Sequence, residues 1–210
     1  LTRRERGIPI HIGHSADNVT DDISFVIRTA AVHDDNPEVH EAHRRGIPVF
    51  ERTQAWGALM RGYQNALCIS GTHGKTTTTS MCTHIMMAAE KDPTVMIGGT
   101  LPLLKACHRV GKGNTIIMES CEYYNSFLAL NPTIAVVLNI EADHLDFFKD
   151  LEDIKHSFRC FAERVPAETG TVIANYDDAN TMDALRGIAR KVITFGLNAK
   201  ADVYAQNIVH

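Results

Sequence analysis

Short apolar runs rich in β-branched residues alternate along the chain with longer stretches whose apolar residues recur at helical spacing. The runs at 9–12, 24–28, 47–50, 66–70, 94–97, 115–119, 134–139, 171–175 and 191–195 predict strands. Helices are expected at 36–45, 52–61, 151–164 and 179–190. The first of these opens Asn36-Pro37-Glu38, a capping residue followed by proline and an early acid, and stops before Gly46. In the third, Leu151, Ile154, Phe158 and Phe161 form a core-facing stripe, and Asn175-Tyr176-Asp177-Asp178 is placed to cap the fourth. Strand and helix alternating in this way point to a parallel sheet with helices on its faces.

The polar stretch Arg61-Gly62-Tyr63-Gln64-Asn65 before a fresh apolar strand is the expected domain boundary. Residues 1–64 hold two or three strand-helix units, too few for a complete doubly wound domain, and residues 65–210 read as a longer α/β domain. The fold class expected is therefore α/β, an incomplete N-terminal Rossmann-like piece followed by a parallel-sheet domain, which the Gly71-Thr72-His73-Gly74-Lys75-Thr76 loop marks as a P-loop ATPase domain.

Composition narrows the function. A hydrophobic fraction of 44% supports a real core, and a net charge of −4 provides no general positive field for nucleic acid or an anionic membrane surface. No apolar run approaches the ~20 residues of a membrane helix, and the start Leu-Thr-Arg-Arg-Glu-Arg is not that of a signal peptide. A cytoplasmic location is expected. Cys68, Cys82, Cys107, Cys121 and Cys160 are widely spaced with no C-x-x-C pair, so buried reduced thiols are expected.

The sharpest chemical signal is the run from Ala66 to Met81. An apolar strand feeds Gly71-Thr72-His73-Gly74, and Lys75-Thr76-Thr77 opens a helix, so backbone N–H groups and a helix N-terminus converge where a polyphosphate fits. Lys75 would reach the outer phosphates of ATP, and the Thr76 hydroxyl would coordinate Mg²⁺. Ile69 stands where a strict G-x-x-x-x-G-K-T pattern requires its first glycine. Four successive threonines, 76–79, are poor helix starters. They suit a position beside phosphate and metal oxygens, with one or two free simply to pack.

The segment Gly71-Thr72-His73-Gly74-Lys75-Thr76-Thr77-Thr78-Thr79 resembles the ATP loop of the Mur ligases, and His73 in particular resembles their alanine-adding branch and its peptide-recycling sister. The resemblance extends to Thr29-Ala30-Ala31, Asp35-Asn36-Pro37-Glu38 and Arg45-Gly46-Ile47-Pro48-Val49, which are similar to the later part of the family's N-terminal nucleotide-sugar domain. It extends as well to Met118-Glu119-Ser120-Cys121-Glu122-Tyr123 and to the stretch from Leu138 to Asp146, which are similar to two central-domain motifs. The resemblance implies an ATP-dependent ligase of peptidoglycan synthesis that uses UDP-N-acetylmuramate and L-alanine as substrates, with ATP and Mg²⁺, through an acyl phosphate.

Glu119 and Glu122 follow a strand, where an open α/β sheet presents its ligand-binding groups. By motif position, Glu122 is expected to hold Mg²⁺ and Glu119 to support it. His144, in Asp143-His144-Leu145-Asp146, is expected to bind a second Mg²⁺ or substrate; imidazole is an unusual ligand for so hard an ion, and this assignment rests on the resemblance. Lys75, Glu122 and His144 form the expected catalytic set. Gly98-Gly99-Thr100 is read either as a backbone approach to substrate phosphate or as an ordinary turn. His33, His40 and His43 are expected on the surface.

Other readings remain at this point: the peptide-recycling sister, a P-loop phosphotransferase or simple ATPase, and a nucleotide-binding fragment without activity. The opening glycine-rich loop of the family's first domain and its later G-x-H-N-x-x-N segment are not found, and the family's C-terminal domain is read as lying outside these 210 residues. The expectation is a phosphate cradle that does not complete the reaction alone.

Overall fold

A computed structural model of the protein describes residues 7–29 and 31–208. The chain divides into two compact units between Trp56 and Gly57, inside the helix α2 (Arg52–Met60).

In the first unit, β1 (Val26–Arg28) and β2 (Val49–Glu51) pair in parallel, Val26 opposite Val49, across the helix α1 (Pro37–Arg44). The Asn36 side chain accepts from the Glu38 amide at 3.0 Å, with Pro37 at the first helical position, the start expected from the sequence. Val39 and Ala42 are buried, and Glu41 is clasped by the guanidiniums of Arg44 and Arg45 at 2.6 and 2.5 Å. These two arginines hold the Glu41 carboxyl down to about 2. The strand expected at 9–12 does not form: Ile10 and Ile12 are exposed, and no strand among the described residues pairs there. Pro9 also removes one ladder donor. His33, His40 and His43 are exposed, as expected.

The second unit is built on an eight-stranded sheet ordered β10-β9-β8-β7-β3-β6-β4-β5. Its strands are β3 (Asn65–Ser70), β4 (Thr94–Leu101), β5 (Ala106–Arg109), β6 (Thr115–Glu119), β7 (Ile134–Val137), β8 (Thr171–Asn175), β9 (Lys191–Gly196) and β10 (Val203–Tyr204). All neighbours run parallel except the β4 and β5 pair. β5 and β10 were not expected. β5 has only a half-buried, polar-containing run, Ala-Cys-His-Arg, and exists as the return arm of a hairpin rather than as a buried strand.

Leu67, Ile69, Val95, Ile97, Ile117, Val136 and Leu138 form a buried cluster, and Cys82 and Met86 of α3 (Lys75–Ala88) pack against it. Alternate residues of these strands point to the opposite face, and α4 (Leu151–Ala162) packs on β7. Phe158 and Phe161 of its apolar stripe are fully buried, and Phe127 stacks on Phe161 at 4.6 Å. The fourth helix is shorter than expected: α5 (Ala179–Ala184) starts on Asp178, which accepts from the Thr181 amide at 2.7 Å, and gives way before Gly187, whose φ is +68°. Among the described residues no helix is long and apolar enough to cross a membrane.

The topology sets the position of the site. The chain leaves β3 for β4 on one side and returns to place β6 and β7 on either flank of β3. The order of strands reverses there, so the loops after β3, β6 and β7 open into one crevice at their carboxyl ends.

Candidate phosphate-binding site

β3 ends at Ser70 and the chain turns at Gly71, whose φ is +144°. A Cβ on Gly71 would lie 2.9 Å from the Leu138 Cβ, so the close approach of the two loops requires glycine. Gly71 therefore does the turning that a strict pattern would place at residue 69. Gly74, at φ +84°, is the N-cap of α3 and has no side chain to occupy the N–H groups of the first turn, which leaves them to an anion.

The loop is fastened to the segment after β7. The Thr72 amide donates to the Asn139 carbonyl at 3.0 Å, and the Glu141 amide donates to the Thr72 hydroxyl at 2.9 Å. The Asn139 side chain brackets His73, accepting from its amide at 2.8 Å and donating to its carbonyl at 3.1 Å. Sequence reasoning missed Asn139; its position at the end of a buried strand facing the loop was the available signal. The exposed His73 imidazole lies 3.5 Å from the Glu141 carboxylate.

Lys75 points its ammonium back into the loop. It donates to the carbonyls of Gly71 at 2.6 Å and Thr72 at 3.1 Å, and to both oxygens of Glu122 at 3.0 and 3.2 Å. Glu122 is buried at 2% exposure. The Thr76 hydroxyl donates instead to Glu119, at 2.9 Å, and the second oxygen of Glu119 accepts from the Gly98 amide at 2.8 Å. Glu119 is thus the acid beside Thr76, and Glu122 is the partner of Lys75.

Gly98, Gly99 and Thr100 are not a turn but lie within β4. A Cβ on Gly98 would sit 2.6 Å from the Glu119 Oε1, so the bare backbone there makes room for the carboxylate. A Cβ on Gly99 would lie 3.6 Å from the Thr76 Cγ2, which puts it beside the same pair, while Thr100 is exposed further along the strand. The threonine run separates by role. Thr76 and Thr77 are exposed at the helix start, whereas buried Thr79 and Thr83 return their hydroxyls to the carbonyls of Lys75 and Thr79 at 2.8 and 2.7 Å.

His144 lies across the crevice, its Nε2 3.9 Å from the Glu122 Oε1. Its imidazole stacks on Tyr123 with ring centroids 4.3 Å apart, and the Tyr123 hydroxyl donates to Asp146. That carboxylate raises the phenol well above its ordinary range, so it stays a donor. The structure therefore brings Lys75, Glu122 and His144 together, as expected. Of the five thiols, all free, only Cys68 is fully buried; Cys82 and Cys160 are half-buried, and Cys107 and Cys121 are exposed, so burial does not extend to all of them.

In this donor set, one hydroxyl and one carboxylate meet at a helix N-terminus. Mg²⁺ suits it, since that ion takes one or two carboxylates and completes its shell with phosphate oxygens and water.

Residues 69–210 match the family description "Mur ligase middle domain", and residues 3–64 match "Mur ligase family, catalytic domain". The chain is 44% identical over 209 residues to the UDP-N-acetylmuramate--L-alanine ligase of Agathobacter rectalis, covering 100% of this chain and 45% of that protein. It is 47% identical over 196 residues to the same-named protein of Acetivibrio thermocellus, covering 93% and 41%. The chain spans about half the length of the curated relatives it matches. Among solved structures, UDP-N-acetylmuramate-alanine ligase from Thermotoga maritima superposes with a TM-score of 0.76 and 31% identity over 92% of this chain and 43% of that one. UDP-N-acetylmuramate:L-alanyl-gamma-D-glutamyl-meso-diaminopimelate ligase from Neisseria meningitides shares the fold, with a TM-score of 0.81 at 24% identity over 92% and 65%. With its loop, acids and histidine set at one sheet edge and more than half its length matched by the middle-domain description, the chain belongs to the Mur ligase family.

Proposed function

We propose that residues 1–64 are the later part of a UDP-sugar-binding domain and residues 65–210 the ATP-binding part of a ligase that joins L-alanine to UDP-N-acetylmuramate. The observation that carries the reading is the pairing of Thr76 with Glu119 at 2.9 Å, one residue from the Lys75 ammonium and at the mouth of α3. Whole-chain identity of 44% to proteins named as alanine ligases supports L-alanine over a recycled peptide as the acceptor amine.

In this reading the loop amides from Gly71 to Thr77 cradle the polyphosphate of ATP, and Lys75 leaves its loop carbonyls and Glu122 for the outer phosphates. Mg²⁺, held by Thr76 and Glu119, would neutralise charge between the phosphates. Glu122 and His144, freed of Lys75, would be left to hold a second Mg²⁺ or the incoming substrate. The sugar-nucleotide carboxylate takes the γ-phosphoryl group as ADP leaves, and the alanine amine then displaces phosphate. Two anions must meet for the first step, so positioning and charge neutralisation are the chief contribution of these residues.

The test is ADP release by the complete protein. The reading expects release only when UDP-N-acetylmuramate and L-alanine are both present, and loss of at least about a hundredfold in Lys75→Ala, a scale set by electrostatic stabilisation of transferring groups. Release independent of either substrate would replace it with a simple ATPase, and preference for a peptide would move the chain to the recycling branch.

A further inference from the structure

His144 must be aimed before it can serve either metal or substrate, and its own connections do little to aim it. Its backbone sits in the left-handed region, at φ +52°, on an irregular loop, and its side chain is 32% exposed. Its Nε2 stands between two carboxylates without a close bond to either, 3.9 Å from Glu122 and 4.0 Å from Asp143. A half-exposed imidazole in that position is free to rotate outward unless something covers its face.

Tyr123 covers that face. The two rings lie 21° from parallel with centroids 4.3 Å apart. The phenol is itself tethered, its hydroxyl donating to Asp146, two residues beyond His144. Phe147 meets Tyr123 edge-on at 6.2 Å, and the amides of Phe147 and Phe148 both donate to the His144 carbonyl at 2.9 Å. At the other end of the clasp, Tyr123 is followed by Tyr124 and Asn125 with φ of +53° and +55°, a conformation non-glycine residues rarely adopt. Backbone of this kind is costly and persists where the surroundings fix it. The Asn125 side chain is fixed by the Ser157 hydroxyl on α4. The loop after β6 is thereby folded so that Glu122 reaches Lys75 while the next residue turns its ring onto His144.

We infer that Tyr123 is a positioning residue, whose ring, anchored through Asp146, holds the His144 imidazole over the Glu122 carboxylate. Its ring packs against Tyr124, His144 and Phe147, and it acts on the site through His144. The inference rests on the reading of His144 as a group that serves the bound metal and nucleotide.

Two readouts on the 210-residue protein separate that reading from the inference. The first is the imidazole proton spectrum, with the His144 signals identified by their loss in His144→Gln. The stacked phenol should shift these signals upfield; Tyr123→Phe, which loses the anchor to Asp146, should reduce that shift and Tyr123→Leu should abolish it. The second is the Mg²⁺ concentration needed for half-maximal ATP binding. Partners that orient a metal-associated side chain typically contribute 10–100-fold, so Tyr123→Leu should raise that concentration about tenfold, close to the effect of His144→Ala, and leave metal-free ATP affinity within about twofold. Tyr123→Phe, the variant least disturbing to the fold, should fall between wild type and Tyr123→Leu. Unchanged His144 signals in Tyr123→Leu overturn the inference, as does a wild-type Mg²⁺ requirement in Tyr123→Leu when His144→Ala has a raised one. A wild-type Mg²⁺ requirement in His144→Ala itself removes the reading of His144 and the positioning role with it, even where the spectrum confirms the stacking.

Discussion

The Lys75 ammonium and the Glu122 carboxylate meet at 3.0 Å, with the Glu122 side chain only 3% exposed and that of Lys75 15%. The lysine expected at the phosphates is thus held by a buried acid and two loop carbonyls, ready to exchange them for another anion.

Removing one member of this pair strands the other. Lys75→Ala leaves a buried carboxylate without its cation and should cost toward the low end of about 3–5 kcal/mol, since the lysine end reaches solvent. Adding Glu122→Gln should restore at least half of the loss. Chemical denaturation of the two single variants and the double variant measures this coupling; additive losses would show that the pair is not coupled in the protein.

The Glu119 carboxylate lies between Thr76 and the Gly98 amide. Gly98→Ala, whose new Cβ would lie 2.6 Å from the Glu119 Oε1, should displace it and raise the Mg²⁺ requirement for ATP binding. Glu119→Gln should raise it about tenfold or more, the scale for groups that hold or orient a metal. Titration of Mg²⁺ at fixed ATP checks both, and a greater effect from Glu122→Gln than from Glu119→Gln would return the metal to the acid first expected.

In the first unit, Arg44 and Arg45 hold Glu41 at about 2, against 4.5 for an unperturbed group. A carboxyl lowered on folding stabilises the native state above its unfolded pKa, and the contribution is lost as pH falls toward the folded value. Stability should therefore decline between pH 4.5 and about 2, and Glu41→Gln should flatten that part of the profile. Acid titration followed by the fluorescence of Trp56 measures it; parallel profiles for wild type and variant would contradict the assignment.

Burial pushes the Cys68 thiol up to about 12; Cys121, though exposed as a residue, is also raised, by partial desolvation of its thiol with the neighbouring Glu122 adding to it. Thiolate is the reactive form. At pH 8, exposed Cys107 should be alkylated first, Cys121 more slowly, and Cys68 only after unfolding. Mass spectrometry of peptides along a time course gives the order.

Much of the second unit was legible because its strands are buried on both faces and read as continuous apolar runs. β6 and β8 begin and end where the pattern placed them. The short edge strand β10 carries no such signal, since both of its residues are exposed. The helix at 179–184 ends early because the chain turns at Gly187, although apolar residues continue beyond it. At the site, Lys75 and Thr76 followed directly from strand, loop and helix start. The hydrogen-bond partners of Glu119 and Glu122 did not: which acid meets Thr76 depends on the neighbouring strand β4 presenting a bare amide at Gly98, a relation that spacing along the chain does not encode. The absence of a side chain at Gly98 was the one legible trace of it.

The central claim is that residues 71–77 form a working phosphate cradle within this chain. Calorimetric titration of Mg·ATP into the 210-residue protein tests it, with Lys75→Ala as the control, both measured at a temperature where their melts show them folded. The account predicts saturable binding by the wild-type protein and loss of that binding in the variant. No binding by the folded wild-type protein, or equal binding by the two, would contradict it.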